Sequence, residues 1–174
     1  ASDVYKRQPQ KGYTLQIGNL PLIETLTKNT VICDFRVQDV KLGGQGAPLV
    51  PIGDQILFSD YEYCMNLGGF SNISFIENEK RVAFDVSPVN TVLNYYATLL
   101  GFDYDNKGLM AKSGKCQNVL LNELNELPFY KLSYPKSLGF EFVKETVLPL
   151  MEQYNIPIED KLNTFIKHVA TQVS

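Results

Sequence analysis

Two short stretches carry residue types that could do chemistry. Asn66-Leu67-Gly68-Gly69-Phe70-Ser71-Asn72 lies between two strand-like runs, and Phe84-Asp85-Val86-Ser87-Pro88-Val89-Asn90 closes a third run and opens a helix. A Gly-Gly turn has no Cβ to keep an approaching phosphate away from its backbone N–H groups. A carboxylate between a strand end and a helix N-terminus sits in a positive field and stays ionised. The pair suggests part of a phosphoryl-transfer site, with the Gly68-Gly69 turn open to a phosphate and Asp85 the residue best suited to the chemistry. Each has a blander reading. Asp85 can be a turn residue that stabilises the helix start, and Asn with Gly is ordinary hairpin chemistry. The turn is not a Walker loop.

Other candidates flank this pair. Asp34, Arg36 and Asp39 cluster just before a loop, Gly43-Gly44-Gln45-Gly46-Ala47-Pro48, that runs straight into Leu49-Val50. Glycines and prolines at that density make a shaped loop rather than regular structure. The plain alternative for the three charged residues is a solvated, self-paired group worth little stability. Lys136-Ser137 can hold a carboxylate or phosphate, or can be surface loop. His168 is the only histidine. The helical pattern puts it on the polar face of the last helix, so it is expected in solvent, and no mechanism that needs a His pair is open to this chain. Cys33, Cys64 and Cys116 are scattered at no metal-ligand spacing and read as small buried hydrophobes in a reducing compartment. No metal site is expected.

The elements that must position these residues follow from periodicity. Tyr13 to Ile17 reads as a strand. Asn19 can cap a short helix with Pro21 in its first turn and Leu22, Ile23 and Leu26 on one face. Thr30-Val31-Ile32-Cys33 reads as a buried strand that delivers Asp34. Pro51 to Phe58 suits a turn or two of helix. Tyr61 to Asn66, Asn72 to Glu77 and Arg81 to Phe84 form an antiparallel meander. Ser87 is placed to cap a helix with Pro88 in its first position, and Leu93, Tyr96, Ala97 and Leu100 form its inner face. Further helices are expected over Cys116 to Leu127 (Val119, Leu120, Leu124 and Leu127 inward), over Phe140 to Tyr154 with Pro149 ending or kinking it, and over Glu159 to Val173. The last would bury Leu162, Phe165, Ile166, Val169 and Val173. Strands first and helices after give an α/β chain with a mixed sheet and flanking helices.

The chain has 174 residues, 44% hydrophobic and 20% charged, which is globular composition. A net charge of −3 gives no basic footprint for nucleic acid or anionic membrane. No apolar run reaches the length of a membrane span. Residues 1–8 are expected to be a sequencing artefact, because Asp3-Val4-Tyr5-Lys6-Arg7-Gln8 is what a common transposon-end adaptor encodes.

From about Pro9 onward the chain resembles the anhydro-N-acetylmuramic acid kinase family. The stretches that carry the resemblance are Tyr13-Thr14-Leu15-Gln16-Ile17-Gly18-Asn19, Asp34-Phe35-Arg36 with Asp39, and Gly43 through Pro51. The two stretches described first follow, with Asn90 closing the second, and then Pro135-Lys136-Ser137 with Gly139. All stand in the family's order. The family belongs to the sugar kinase, heat-shock ATPase and actin superfamily, so the resemblance implies a partial actin-like, ribonuclease H-like fold. Residues 9–58 would be the end of the first lobe with a sugar-side loop, and residues 59–174 the start of the second.

The resemblance also implies an activity. The family opens the 1,6-anhydro bond of anhydro-N-acetylmuramic acid and phosphorylates O6 with ATP in cell-wall recycling. Asp85 would be the general base that deprotonates the attacking water. Gly68, Gly69 and Asn72 would lie near the nucleotide phosphates. Asp34, Arg36, Asp39, Gly44, Gln45, Gly46, Asn90, Lys136 and Ser137 would face the sugar. Cofactors would be ATP and Mg²⁺, and partners the amino sugar and ATP, with no nucleic acid or membrane. A cytoplasmic location and a homodimeric parent would fit. The chain departs from the family pattern at Val86-Ser87-Pro88-Val89-Asn90, where relatives have Thr-Gly-Pro-Gly-Asn, at Val37 and Gln38, where many have arginines, and at Leu138 and Phe140. The family's Met-Ser-Gly-Thr-Ser, His-Gly-Gln-Thr and Gly-Gly-Gly segments are missing, so the chain is expected to be a fragment, inactive alone. The alternative is a non-catalytic module that binds an amino sugar or muropeptide.

Overall fold

The computed structural model describes residues 5–8, 13–16, 22–32, 35–44 and 46–174. They fall in two compact units, Ala1–Asp60 and Tyr61–Ser174.

In the first unit, β1 (Tyr5–Gln8) and β2 (Tyr13–Gln16) pair antiparallel. Three short helices follow: α1 (Leu22–Thr27), α2 (Phe35–Lys41) and α3 (Leu49–Leu57). The expected cap Asn19 and Pro21 lie outside the described residues. Of the expected strand over Thr30 to Cys33, the described residues 30–32 are irregular, and Ile32 is 75% exposed; Cys33 lies outside the described residues. A β-branched run becomes a strand only where a neighbour completes its ladder, and among the described residues none pairs with it.

The second unit is built on a meander, as the alternation predicts. β3 (Tyr63–Leu67), β4 (Phe70–Glu77) and β5 (Lys80–Pro88) form one antiparallel sheet in that order. The expectation of a mixed sheet is corrected, because every strand pair among the described residues is antiparallel. Consecutive strands joined by tight turns can pair no other way, since a parallel neighbour needs a long crossover.

β5 also runs further than its hydrophobic pattern suggests. It continues through Asp85 to Pro88, with Ser71 opposite Ser87, Asn72 opposite Asp85 and a bulge between the two pairs. Asp85 is therefore inside a strand and not at a helix mouth. Ser87 does not cap a helix: α4 (Asn90–Leu99) starts later, after Val89. Ser87 is fully buried, and its N–H donates to Ser71 Oγ at 3.0 Å, while that hydroxyl donates back to Ser87 O at 3.0 Å. The hydroxyl bond and the sheet ladder outweigh a cap worth about 1 kcal/mol.

Helices cover the sheet's sequel. After α5 (Leu109–Ser113), α6 spans only Asn118–Asn125, shorter than its periodicity, with Leu120 and Leu124 fully buried but Val119 in solvent. α7 (Phe140–Phe142) runs through a π-helical stretch, Val143–Val147, into α8 (Leu148–Glu152). Pro149 lacks the N–H that would bond the fourth residue back, and widening the preceding turn accommodates it. α9 (Ile158–Val173) closes the core, with Leu162 and Phe165 fully buried against Val92, Tyr96, Val147 and Met151. Ile166 and Val173 are partly in solvent, unlike their expected inward setting.

His168 is a second correction on that helix: it is fully buried. Its Nδ1 lies 2.6 Å from Asn125 Oδ1 and its Nε2 2.8 Å from Tyr130 Oη. The amide oxygen can only accept, so Nδ1 carries the proton and Nε2 accepts from the tyrosine. A polar residue can sit on the inner side of a helix when both its nitrogens find partners there.

Candidate catalytic carboxylate on strand β5

Asp85 is placed by two long-range devices. The first is the meander itself, which sets it opposite Asn72. The second is the segment 134–138, which lies along the outer edge of β5. The Tyr134 ring stacks on Phe84 at 4.9 Å and meets Phe75 edge-on, while its hydroxyl donates to Glu77 Oε1 at 2.8 Å. Two residues on, Lys136 O accepts the Asp85 N–H at 3.0 Å. Leu138 then turns its side chain into the core, 5% exposed.

That path delivers donors to the carboxylate. Leu138 N–H donates to Asp85 Oδ2 at 2.7 Å, and Ser137 Oγ donates to the same oxygen at 3.2 Å. Both favour the ionised form. Of the two partners, Ser137 was visible in the sequence as a polar loop residue. Leu138 was not, because its contribution is a backbone N–H and no residue type advertises it.

Lys136 and Ser137, adjacent in sequence, part company in space. Lys136 lines a cavity of about 250 Å³ with Ile73, Phe84, Val86 and Tyr130. Ile73 and Phe84 are opposite each other, one step along from the Asn72–Asp85 pair. Successive residues alternate faces, so the Lys136 side chain and the Asp85 carboxylate serve opposite faces of the sheet. The Lys136 ammonium donates to Phe129 O at 3.3 Å and stands 4.7 Å above the Phe129 ring. Desolvation pushes its pKa below the ordinary lysine value.

The Gly68–Gly69 turn sits at the other end of the same strands, where Phe70 pairs with Pro88. Three residues of strand separate it from Asp85, roughly 10 Å. Its carbonyls do structural work. Gly69 O accepts from the amides of Val89 and Thr91 and from Thr91 Oγ1, and Gly68 O accepts from the Asn90 amide. The turn thus satisfies amides at the start of α4 that an isolated helix leaves open. A trans peptide sets N–H opposite C=O, so the Gly69 N–H points away from α4, and Gly69 is exposed. That is the side on which a phosphate could approach. The structure therefore brings Asp85, Asn72, Gly68, Gly69 and Asn90 onto β4, β5 and their ends, with Ser137 reaching Asp85 from the segment alongside.

The remaining candidates belong to the first unit and hold one another. Asp39 Oδ2 accepts the Gly46 N–H at 2.7 Å, Asp39 O accepts the Gly44 N–H at 2.8 Å, and Arg36 donates to Gly46 O at 2.6 Å. Gly46 is buried at φ +75°, a conformation that excludes most side chains. A Cβ at Gly44 would fall 2.3 Å from Asp39 Oδ2. These contacts shape the loop on α2. Asp34 and Gln45 lie outside the described residues, as does Cys33. Among the described residues, no group of three His, Cys, Asp or Glu side chains is placed to hold a metal ion. No described helix is long and apolar enough to cross a membrane.

Comparison with known proteins bears on this arrangement. The family model described as anhydro-N-acetylmuramic acid kinase matches residues 3–174. A protein of that name from Pseudomonas fluorescens (strain Pf0-1) is 43% identical over 153 residues, 85% of this chain and 41% of the relative. Its namesake from Pseudomonas syringae pv. syringae (strain B728a) is 42% identical over 141 residues, covering 78% and 39%. Another from Nitrosospira multiformis is 41% identical over 146 residues, covering 81% and 40%. The chain spans about two fifths of the length of these curated relatives. The match takes in both units and both stretches that position the carboxylate, and on that basis the chain belongs to the anhydro-N-acetylmuramic acid kinase family.

Proposed function

We propose that this chain is part of an ATP-dependent kinase that hydrolyses and 6-phosphorylates 1,6-anhydro-N-acetylmuramic acid. The observation that carries the reading is the Asp85 carboxylate, fixed on β5 by a backbone N–H and a hydroxyl within a chain of this family. Water must lose a proton as it attacks the anomeric carbon, and the released O6 takes the phosphoryl group. A fixed, ionised carboxylate within hydrogen-bond reach of that water is a competent base. The fold proposed is the partial actin-like one, with residues 9–58 closing a first lobe, residues 59–174 opening a second, and residues 1–8 of adaptor origin. A cytoplasmic location accords with an ATP-dependent sugar kinase.

ATP with Mg²⁺ supplies the phosphoryl group. The Gly69 amide, pointing away from α4, and the Gly68 and Asn72 positions are the groups of this chain that would meet the nucleotide phosphates. The loop built by Arg36, Asp39, Gly44 and Gly46, together with Asp34 and Gln45, would shape the sugar side. Asn90, at the start of α4, is a further candidate for the sugar, whereas Lys136 serves the sheet face opposite Asp85 and the Ser137 hydroxyl donates to Asp85. Transfer needs clamps on both substrates, so turnover is assigned to the longer protein and not to this stretch alone.

A non-catalytic binding module gains little from the altered segment that suggested it. Ser87 and Val89, which stand where relatives have glycine, are buried, so the added side chains face inward. The test is Asp85→Asn in the full-length protein with a coupled ADP-release assay. Turnover should fall by about 10³-fold or more, on the scale of losing a general base and its charge, with ATP affinity kept. A variant that retains most of its rate removes Asp85 from the role.

A further inference from the structure

We infer that Ser137 is a positioning residue for Asp85: with the Leu138 amide it holds one carboxylate oxygen and so sets the plane of the base. The inference rests on the reading of Asp85 as that base, and it gives Ser137 a different task from sugar contact.

The final torsion of an aspartate is broad, so its rotamer alone does not aim the carboxylate. Aiming must come from donors, and two converge on Oδ2 from neighbouring residues, Leu138 N–H at 2.7 Å and Ser137 Oγ at 3.2 Å. Both donors are themselves held. Lys136 O is tied to the Asp85 amide at 3.0 Å, Tyr134 is stacked on Phe84, and Leu138 is anchored in the core. The backbone of 136–138 thus moves with β5, and a donor fixed to the same strand as the base keeps its angle. A serine hydroxyl has one proton, and here that proton goes to Asp85. A misaimed base loses rate without loss of substrate affinity.

The test is Ser137→Ala and Ser137→Thr in the full-length protein. One hydrogen bond to a charged group corresponds to about a 10- to 100-fold effect. Ser137→Ala should lower kcat by that factor with the sugar KM within about twofold, and Ser137→Thr should recover most of it. Combining Ser137→Ala with Asp85→Asn should cost no more than Asp85→Asn alone, because the two act as one unit. A raised sugar KM at unchanged kcat would assign Ser137 to the substrate and overturn the inference, as would an unchanged kcat. A readout without turnover separates the two claims. The Asp85 carboxyl ¹³C resonance should move in Ser137→Ala and return in Ser137→Thr, and an unmoved resonance overturns the positioning contact. Wild-type protein that shows the contact but no turnover with the anhydro sugar counts against the proposed function instead.

Discussion

Acidification should destabilise this chain through His168, and the size of the effect follows from its surroundings. The side chain is fully buried, and burial pushes its pKa down from 6.5 to about 4. Its ring meets Asn125, Tyr130 and Phe165, none of them charged, and Asn125 Oδ1 is shared with Gln172 Nε2 at 3.0 Å. None of these partners carries a negative charge to offset the cost of burying an imidazolium. The unfolded chain therefore binds the proton before the folded one does. With the folded pKa below the unfolded value, the stabilising contribution is complete above pH 6.5 and is lost as pH falls toward 4. At pH 5 the unfolded state gains about 1.5 pH units of protonation free energy, about 2 kcal/mol. That is a large share of the ~5–15 kcal/mol that holds a typical domain. Chemical denaturation at pH 7.5 and pH 5 measures the difference. His168→Gln provides the reference, since it keeps polar atoms at the site without the titration. Wild type should lose about 2 kcal/mol more than the variant across that interval. Equal losses in the two proteins, or a His168 ring resonance that titrates near pH 6.5, would refute the argument.

Two further outcomes test the packing around the site. Ser71→Ala removes the acceptor of the buried Ser87 N–H and one partner of the Ser87 hydroxyl; denaturant titration should show a loss of about 1–3 kcal/mol, the cost of an unsatisfied buried donor. At Gly114 a Cβ would stand 2.0 Å from Glu159 O and 2.7 Å from the Asp160 amide nitrogen. Backbone cannot yield as a side-chain tip does, so Gly114→Ala should lower stability by more than about 2 kcal/mol, against little change for Gly53→Ala, where nothing lies near.

What the sequence decided by itself is local or compositional. The meander was legible because alternation and the polar turn at Asn78-Glu79 act over a few residues, and hairpin pairing needs no distant partner. The Gly68-Gly69 turn and the Asp85 carboxylate drew attention by residue type alone, as did the Arg36, Asp39 and Gly43-to-Pro48 cluster, which closes within a dozen positions. Inner faces of α4 and α9 were readable at Tyr96, Ala97, Leu162 and Phe165, since a helix must turn one stripe toward its neighbours.

Tertiary structure decided whatever depends on a partner far along the chain. The extent of β5 beyond Phe84 was set by Ser71, across the sheet, and this moved Asp85 from a helix mouth into a strand. The donors to Asp85 come from Ser137 and Leu138, more than fifty positions away, and one of them is backbone, which carries no side-chain signature. His168 was misplaced because the helical pattern assigns it to the polar face of the last helix, but Asn125 and Tyr130 supply both its hydrogen bonds inside. Hydropathy records the cost of burying a polar group without knowing whether a partner waits there. Only the folded chain brings that partner, and with it the sign of the energy.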